Sequence, residues 1–153
     1  MDLILWRHAE AHEPREGQGD LERALTSKGE RQAHRMAEWL NQRLAHSTRI
    51  LVSPARRAQQ TAQALGKNFK TVEAIAPDAS VEAVLKATRW PEATEPVLVV
   101  GHQPTLGLVA AHLLAEQPQS WTMKKGAVWW LRSRDRDGQT EVVLQAVQSP
   151  DCL

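Results

Sequence analysis

A chain of 153 residues with 19 basic and 18 acidic side chains, a formal net charge of +1 and 42% apolar residues has an ordinary globular composition. It is too balanced in charge to coat nucleic acid and too apolar to be disordered. At this length one domain buries roughly two-thirds of its unfolded surface, so no disulfide or structural metal is needed. Cys152 is the only cysteine, which excludes an internal disulfide and points to a reducing compartment. No basic leader precedes the first apolar run, which is too short for a signal peptide or membrane span, so a cytoplasmic protein is expected.

Residues 3–6, LILW, form an uninterrupted apolar run, the pattern of a strand covered on both faces. It ends on Arg7 and His8. The stretch 8–25 is rich in Gly, Pro and charge, lacks a period and reads as a long loop; loops of that length in compact domains tend to be functional. Thr26 or Ser27 caps a helix whose Met36, Ala37, Leu40 and Leu44 share an apolar face. RILVS at 49–53 is a second strand stopped by Pro54, and residues 55–69 read as a helix with Pro54 at its start and Gly66 near its end. VEAI at 72–75 fits a short edge strand, and PDASVEAVLKAT fits a helix started at Asp78 or Ser80. PVLVVGH at 96–102 is the strongest strand signal, followed by an amphipathic helix in QPTLGLVAAHLLAE. GAVWWLRSR and QTEVVLQAV then form a terminal hairpin turning at Asp137-Gly138.

Strands alternating with helices predict an α/β fold: a three-layer α/β/α sandwich with a mostly parallel central sheet and antiparallel edge strands from the C-terminal hairpin. Trp6, Trp39, Trp129 and Trp130 read as packing residues; Trp90 and Trp121 have more polar neighbours and are candidates to border a groove. The run RSRDRDG alternates acids and bases and reads as a solvated hairpin tip.

Functional groups in open α/β sheets gather at the carboxyl ends of the strands. Three such ends carry Arg7-His8, Ser53-Pro54-Ala55-Arg56-Arg57 and Gly101-His102. Parallel neighbours would bring two histidines and at least one arginine to one edge. Arginine is cationic and no HExxH-type spacing accompanies the histidines, so this is a poor metal set. It suits an anion, because guanidinium forks match phosphate oxygens and a nearby imidazole can act as nucleophile or donor.

LILWRHAE, LTSKGERQA, SPARRAQQTA and VVGHQPT, in this order, resemble the successive motifs of the histidine phosphatase superfamily. The short length without a cap insertion is similar to its SixA-type phosphohistidine phosphatase branch. The resemblance implies a phosphoglycerate mutase-like fold, with residues 1–153 as one domain lacking a cap. It implies that His8 accepts the phosphoryl group and that Arg7, Arg57 and His102 hold its oxygens; Arg57, directly before the alanine in SPxxRAxQT, is selected over Arg56.

The implied activity is a metal-independent, cofactor-free phosphatase that forms a phosphohistidine enzyme intermediate and releases phosphate ion. Its implied partner is a phosphohistidine-containing protein such as a histidine phosphotransfer domain or phosphocarrier, with no nucleic acid, no membrane and a monomeric state. Two rivals stand beside it: a phosphatase of small phosphomonoesters or phosphoanhydrides, and a phosphate-binding module without turnover. A neutral His8 is required for attack, and two arginines should lower its pKa by charge repulsion. A donor carboxylate has only Asp78 and Glu82 as candidates, the first reading more readily as an N-cap and the second as a solvated helix residue. Arg23 has two readings, a residue that faces the same pocket and contacts a protein substrate and, as the more ordinary account, a surface arginine or a helix-entry ion pair. His12, His34, His46 and His112 read as surface or partly buried residues.

Overall fold

A computed structural model describes residues 1–153. Six strands, β1 (Asp2–Arg7), β2 (Arg49–Val52), β3 (Lys70–Thr71), β4 (Val97–Gly101), β5 (Val128–Arg136) and β6 (Gln139–Gln148), form one sheet in the order β3-β2-β4-β1-β5-β6. β3, β2, β4 and β1 are parallel, while β5 pairs antiparallel with β1 and with β6. Four helices, α1 (Ser27–Asn41), α2 (Arg56–Gln63), α3 (Val81–Thr88) and α4 (Thr105–Ala115), cover the two faces. This is the expected mostly parallel sheet with a C-terminal hairpin.

The continuous apolar runs follow from two-sided burial. Ile4 and Trp6 of β1, with Leu98 and Val100 of β4, pack against Met36 and Leu40 of α1 and Ala58 and Ala62 of α2. Their alternates Leu3, Leu5, Val97 and Val99 face Val84 of α3 and Leu106, Val109 and Ala110 of α4. Strand side chains alternate between faces, so a strand with helices on both sides needs apolar residues at every position. The β5–β6 turn uses Asp137 (φ 52°) and Gly138 (φ 79°); two left-handed residues are what a tight two-residue hairpin requires.

Helix α1 begins where the Thr26 side chain accepts a hydrogen bond from the Gly29 amide at 2.9 Å, capping the first turn. It ends at Asn41, and Leu44 follows the helix while still packing on the core. Gly29 is inside the helix, where glycine is a weak helix former. A methyl group there would run into the Glu10 carbonyl, two residues beyond His8. Gly29→Ala should therefore lose stability, by about 1–3 kcal/mol from overpacking, and move the segment after β1. Urea unfolding and phosphatase assays on the same variant check both effects.

Three expectations need correction. The edge strand is Lys70–Thr71; residues Glu73–Ile75 form a 3-10 turn that drops Ile75 into the core. The helix cap is Ser80, which accepts from the Ala83 amide at 3.1 Å, because Asp78 takes a left-handed conformation (φ 67°) instead. Trp90 is 5% exposed and belongs to the core; its indole N–H donates to the Met1 carbonyl at 3.0 Å, which removes the cost of burying that polar atom. No helix is long and apolar enough to cross a membrane.

Candidate active site

The carboxyl ends of β2, β4 and β1 lie side by side, and the segments leaving them enclose a cavity of about 470 Å³. Arg7, His8, Arg57 and His102 all line it. Arg7 is the last residue of β1, and one of its terminal nitrogens donates to the Met123 carbonyl at 2.7 Å. The His8 amide donates to the Gly101 carbonyl at 3.0 Å, and the His8 carbonyl accepts from the Gly126 amide at 3.0 Å. The backbone of His8 is thus tied to β4 on one side and to the approach to β5 on the other.

The first turn of α2 supplies Arg57, which is 3% exposed, whereas Arg56 points to solvent. Thr61, one turn later, donates to the Arg57 carbonyl at 2.8 Å and accepts from the Ala9 amide at 3.1 Å. Helix α2 is therefore fastened to the residue after His8. The His8 and His102 rings lie 5.2 Å apart between centroids.

Hydrogen bonds fix the tautomer of His8. Its Nδ1 lies 2.7 Å from the Ala9 carbonyl, which only accepts, so Nδ1 carries the hydrogen and Nε2 keeps its lone pair. For His102, Nε2 lies 2.7 Å from the buried Ser53 hydroxyl. Ser53 Oγ also accepts from the Ala55 amide at 3.2 Å, and a hydroxyl can serve His102 Nε2 as donor or as acceptor. His102 Nδ1 is buried without a protein partner.

Both rings are neutral at physiological pH. Burial pulls the His8 pKa down to about 4; the Ala9 hydrogen bond opposes this, and Arg57, Arg7 and Arg23 add to it. The expected direction holds, but desolvation leads and the arginine charges come second. Burial, followed by His8 and Arg57, takes His102 to about 3. The unfolded chain binds these protons near pH 6.5, so it holds more protons than the fold as the pH drops from 6.5 toward 4. Stability must fall through that window, by up to about 1.4 kcal/mol per pH unit for each histidine. Urea midpoints measured from pH 7 to pH 4 should show this slope, and a His8→Asn/His102→Asn double variant should flatten it.

The long loop also reaches the cavity. A 3-10 turn at Asp20–Glu22 places Asp20 against Arg57. The Asp20 carbonyl accepts from one Arg57 terminal nitrogen at 2.8 Å and its carboxylate from the other at 3.0 Å. The same carboxylate accepts from Arg23 Nε at 3.0 Å, and Arg23 also donates to the His12 carbonyl at 2.6 Å. Arg23 is consequently half-buried and lines the cavity, the pocket-facing one of its two readings, while it also forms an ion pair with Asp20. Asp78 lines the cavity too, and Glu82 does not.

Glu13, Asp20, Gln103 and Lys125 are wall residues that sequence reasoning missed. They lie outside the six strands and four α-helices. Only the three-residue spacing of Asp20 and Arg23 carried a local signal, that of an ion pair. No three His, Cys, Asp or Glu side chains converge as a metal-binding group. The wall instead combines guanidiniums and neutral imidazoles, a set built for a tetrahedral oxyanion.

Fold and sequence agree in the comparisons with known proteins. The family model of the histidine phosphatase superfamily (branch 1) matches residues 3–82, and the chain belongs to that superfamily. Within it, the relatives are SixA-like. The phosphohistidine phosphatase SixA of Escherichia coli is 31% identical over 132 residues, covering 80% of each chain. An uncharacterized protein of Picosynechococcus is 36% identical over 141 residues, covering 87% of this chain and 86% of its own. The structure of the protein histidine phosphatase SixA complexed with tungstate superposes with a TM-score of 0.79 at 25% identity, over 99% of both chains.

Proposed function

We propose that this protein is a phosphohistidine phosphatase that acts on a protein substrate, with residues 1–153 working as one uncapped domain and a phosphoryl group carried transiently on His8 Nε2. The observation that carries this reading is a set of three buried polar nitrogens without protein partners, Arg7 Nε, Arg57 Nε and His102 Nδ1, all on residues lining the cavity with His8. Leaving such groups unpaired is costly. A phosphoryl group offers three acceptor oxygens and answers all of them. The SixA structure that holds tungstate, a phosphate-like oxyanion, supports the same assignment.

The His8 Nε2 lone pair attacks phosphorus as the bond to the substrate's imidazole nitrogen breaks, and that nitrogen keeps the bonding pair. The Nδ1–H bond to the Ala9 carbonyl stabilises the positive charge that develops on the His8 ring. Arg7, Arg57 and His102 hold the three equatorial oxygens as the phosphoryl group passes over. Water then attacks the phosphorus of phospho-His8, releasing phosphate and returning the electron pair to Nε2.

An imidazole leaves readily, so the first step needs little help from an acid. The cavity is polar, with Ala11, Pro14 and Pro77 its only apolar lining residues, which suits a protein surface better than a nucleotide base. The free thiol of Cys152 fits a cytosolic setting, where thiols stay reduced.

Turnover of a phosphohistidine protein, p-nitrophenyl phosphate and nucleotides measured side by side tests the reading; a strong preference for esters would reject it. One observation favours small esters as a second reading, namely Asp78 on the cavity wall, where it could protonate an alkoxide. Asp78→Asn should change phosphohistidine turnover less than about threefold, while an acid needed for ester cleavage would cost about 10²-fold. Comparing that variant on both substrates separates the two.

A further inference from the structure

A second depression lies at the same edge of the sheet, outside the catalytic cavity. Lys28, Arg31, Gln32 and Arg35 form one wall and Pro150 and Asp151 the other. The first four residues are spaced along one stripe of α1, opposite the buried Ala33, Met36, Ala37 and Leu40. This groove adjoins the active site. Gly126, whose amide donates to the His8 carbonyl, is in close contact with Pro150 and near Gln32. Lys124 reaches the Asp151 carboxylate at 3.0 Å, and Lys125 lines the catalytic cavity itself.

The chain satisfies this stripe only in part, through a long hydrogen bond from Arg35 to the Leu153 carbonyl at 3.5 Å. Lys28, Arg31 and Arg35 follow one another at helical spacings of three and four, where like charges repel. Arg31 and Arg35 form no ion pair, and Lys28 meets Glu10 only at 3.8 Å. Among the groove's lining residues three cations, Lys28, Arg31 and Arg35, meet one carboxylate, Asp151, a net +2 on a chain whose total is +1. Local choices that oppose helix stability point to a demand from outside the fold.

We propose that this groove docks an acidic segment of the phosphoprotein substrate, adjacent to the segment that carries the phosphohistidine. This rests on the phosphohistidine reading above and extends it from the reacting group to the partner surface. A protein is favoured over nucleic acid because no aromatic side chain lines the groove for base stacking and Asp151 interrupts the cationic track. The docking charges lie at a rim, where they act on encounter rate and salt dependence more than on the chemical step.

Two measurements test the proposal. A fluorescein-labelled peptide with a histidine beside a run of glutamates, carrying no phosphate, is titrated by anisotropy at low salt against wild type and Arg31→Glu/Arg35→Glu. A matched peptide with serines in place of glutamates is the control. The expected result is at least about tenfold tighter binding of the acidic peptide by wild type, lost in the double variant and in 0.5 M salt.

In parallel, kcat/KM on the phosphorylated acidic peptide should fall about tenfold in the double variant, while turnover of free phosphohistidine stays at the wild-type rate. Equal binding of the two peptides, or an acidic preference that survives the charge reversal, would overturn the proposal. So would binding of an oligouridylate at this groove without binding of the acidic peptide. Absence of turnover on free phosphohistidine would instead count against the catalytic reading, leaving the anisotropy result to judge the groove alone.

Discussion

His8→Ala should abolish the phosphoenzyme and lower kcat/KM on a phosphohistidine substrate by at least about 10⁴-fold. The size of the effect follows from the arrangement around the ring. In the proposed mechanism His8 contributes the lone pair, and no other cavity side chain offers a comparable nucleophile: His102 Nε2 is engaged by Ser53 and its Nδ1 is buried. The proposed oxyanion donors Arg7, Arg57 and His102 remain in the variant, so phosphate should still bind competitively.

The fold should also survive, since both backbone hydrogen bonds of residue 8 involve only its amide and carbonyl. Brief incubation with labelled phosphohistidine protein followed by alkaline gel analysis detects the acid-labile intermediate, and thermal unfolding controls for folding. A variant that keeps more than a tenth of wild-type turnover would remove His8 from the nucleophile position. Wild-type kcat/KM should hold on its acid side well below pH 6.5, because free His8 stays neutral down to about pH 4.

The parts of this molecule that could be read from its sequence are those where periodicity and burial act together. LILW and VLVV are apolar at every position because both faces of β1 and β4 are covered, and that requirement is visible without coordinates. Lys70–Thr71 is only a two-residue edge strand, exposed at both positions, so no burial pattern marks it. VEAI nearby has strand-like composition, yet it buries Ile75 through a 3-10 turn. Trp90 misled for a related reason. Polar neighbours in sequence say little about a side chain whose one polar atom finds a distant carbonyl.

The site divides in the same way. Arg7, His8, Arg57 and His102 sit at or just past strand ends, where chain order implies position. Asp20, Glu13 and Lys125 belong to irregular segments placed by tertiary contacts, such as the clasp between Asp20 and Arg57, and no local pattern announces those. Asp78 shows the converse. Its residue type suits a helix cap, but the left-handed backbone there moves the cap to Ser80 and leaves its carboxylate for the cavity wall.

Arg57→Lys should cost about 10²- to 10³-fold in kcat/KM although the charge is conserved. In the proposed mechanism the guanidinium has two tasks that an ammonium cannot share. Its two terminal nitrogens each give a hydrogen to Asp20, to the carbonyl at 2.8 Å and to the carboxylate at 3.0 Å, while Nε–H is buried and free for a phosphoryl oxygen. A lysine presents three donors from one point and can satisfy Asp20 or the phosphate, but not both in this geometry.

Burial raises the Asp20 pKa and the hydrogen bonds and charges of Arg23 and Arg57 outweigh it, so its carboxyl lies below the usual range and stays ionised. Asp20 can therefore hold the fork by charge as well as by shape. Its side chain is 54% exposed, so losing the pair should shift the melting temperature little and turnover a great deal. If Asp20 acts only by aiming Arg57, Asp20→Asn should lose about tenfold in kcat/KM, and Asp20→Asn/Arg57→Lys should be no worse than Arg57→Lys alone. Losses that multiply in the double variant would show instead that Asp20 serves the reaction independently of the arginine it touches.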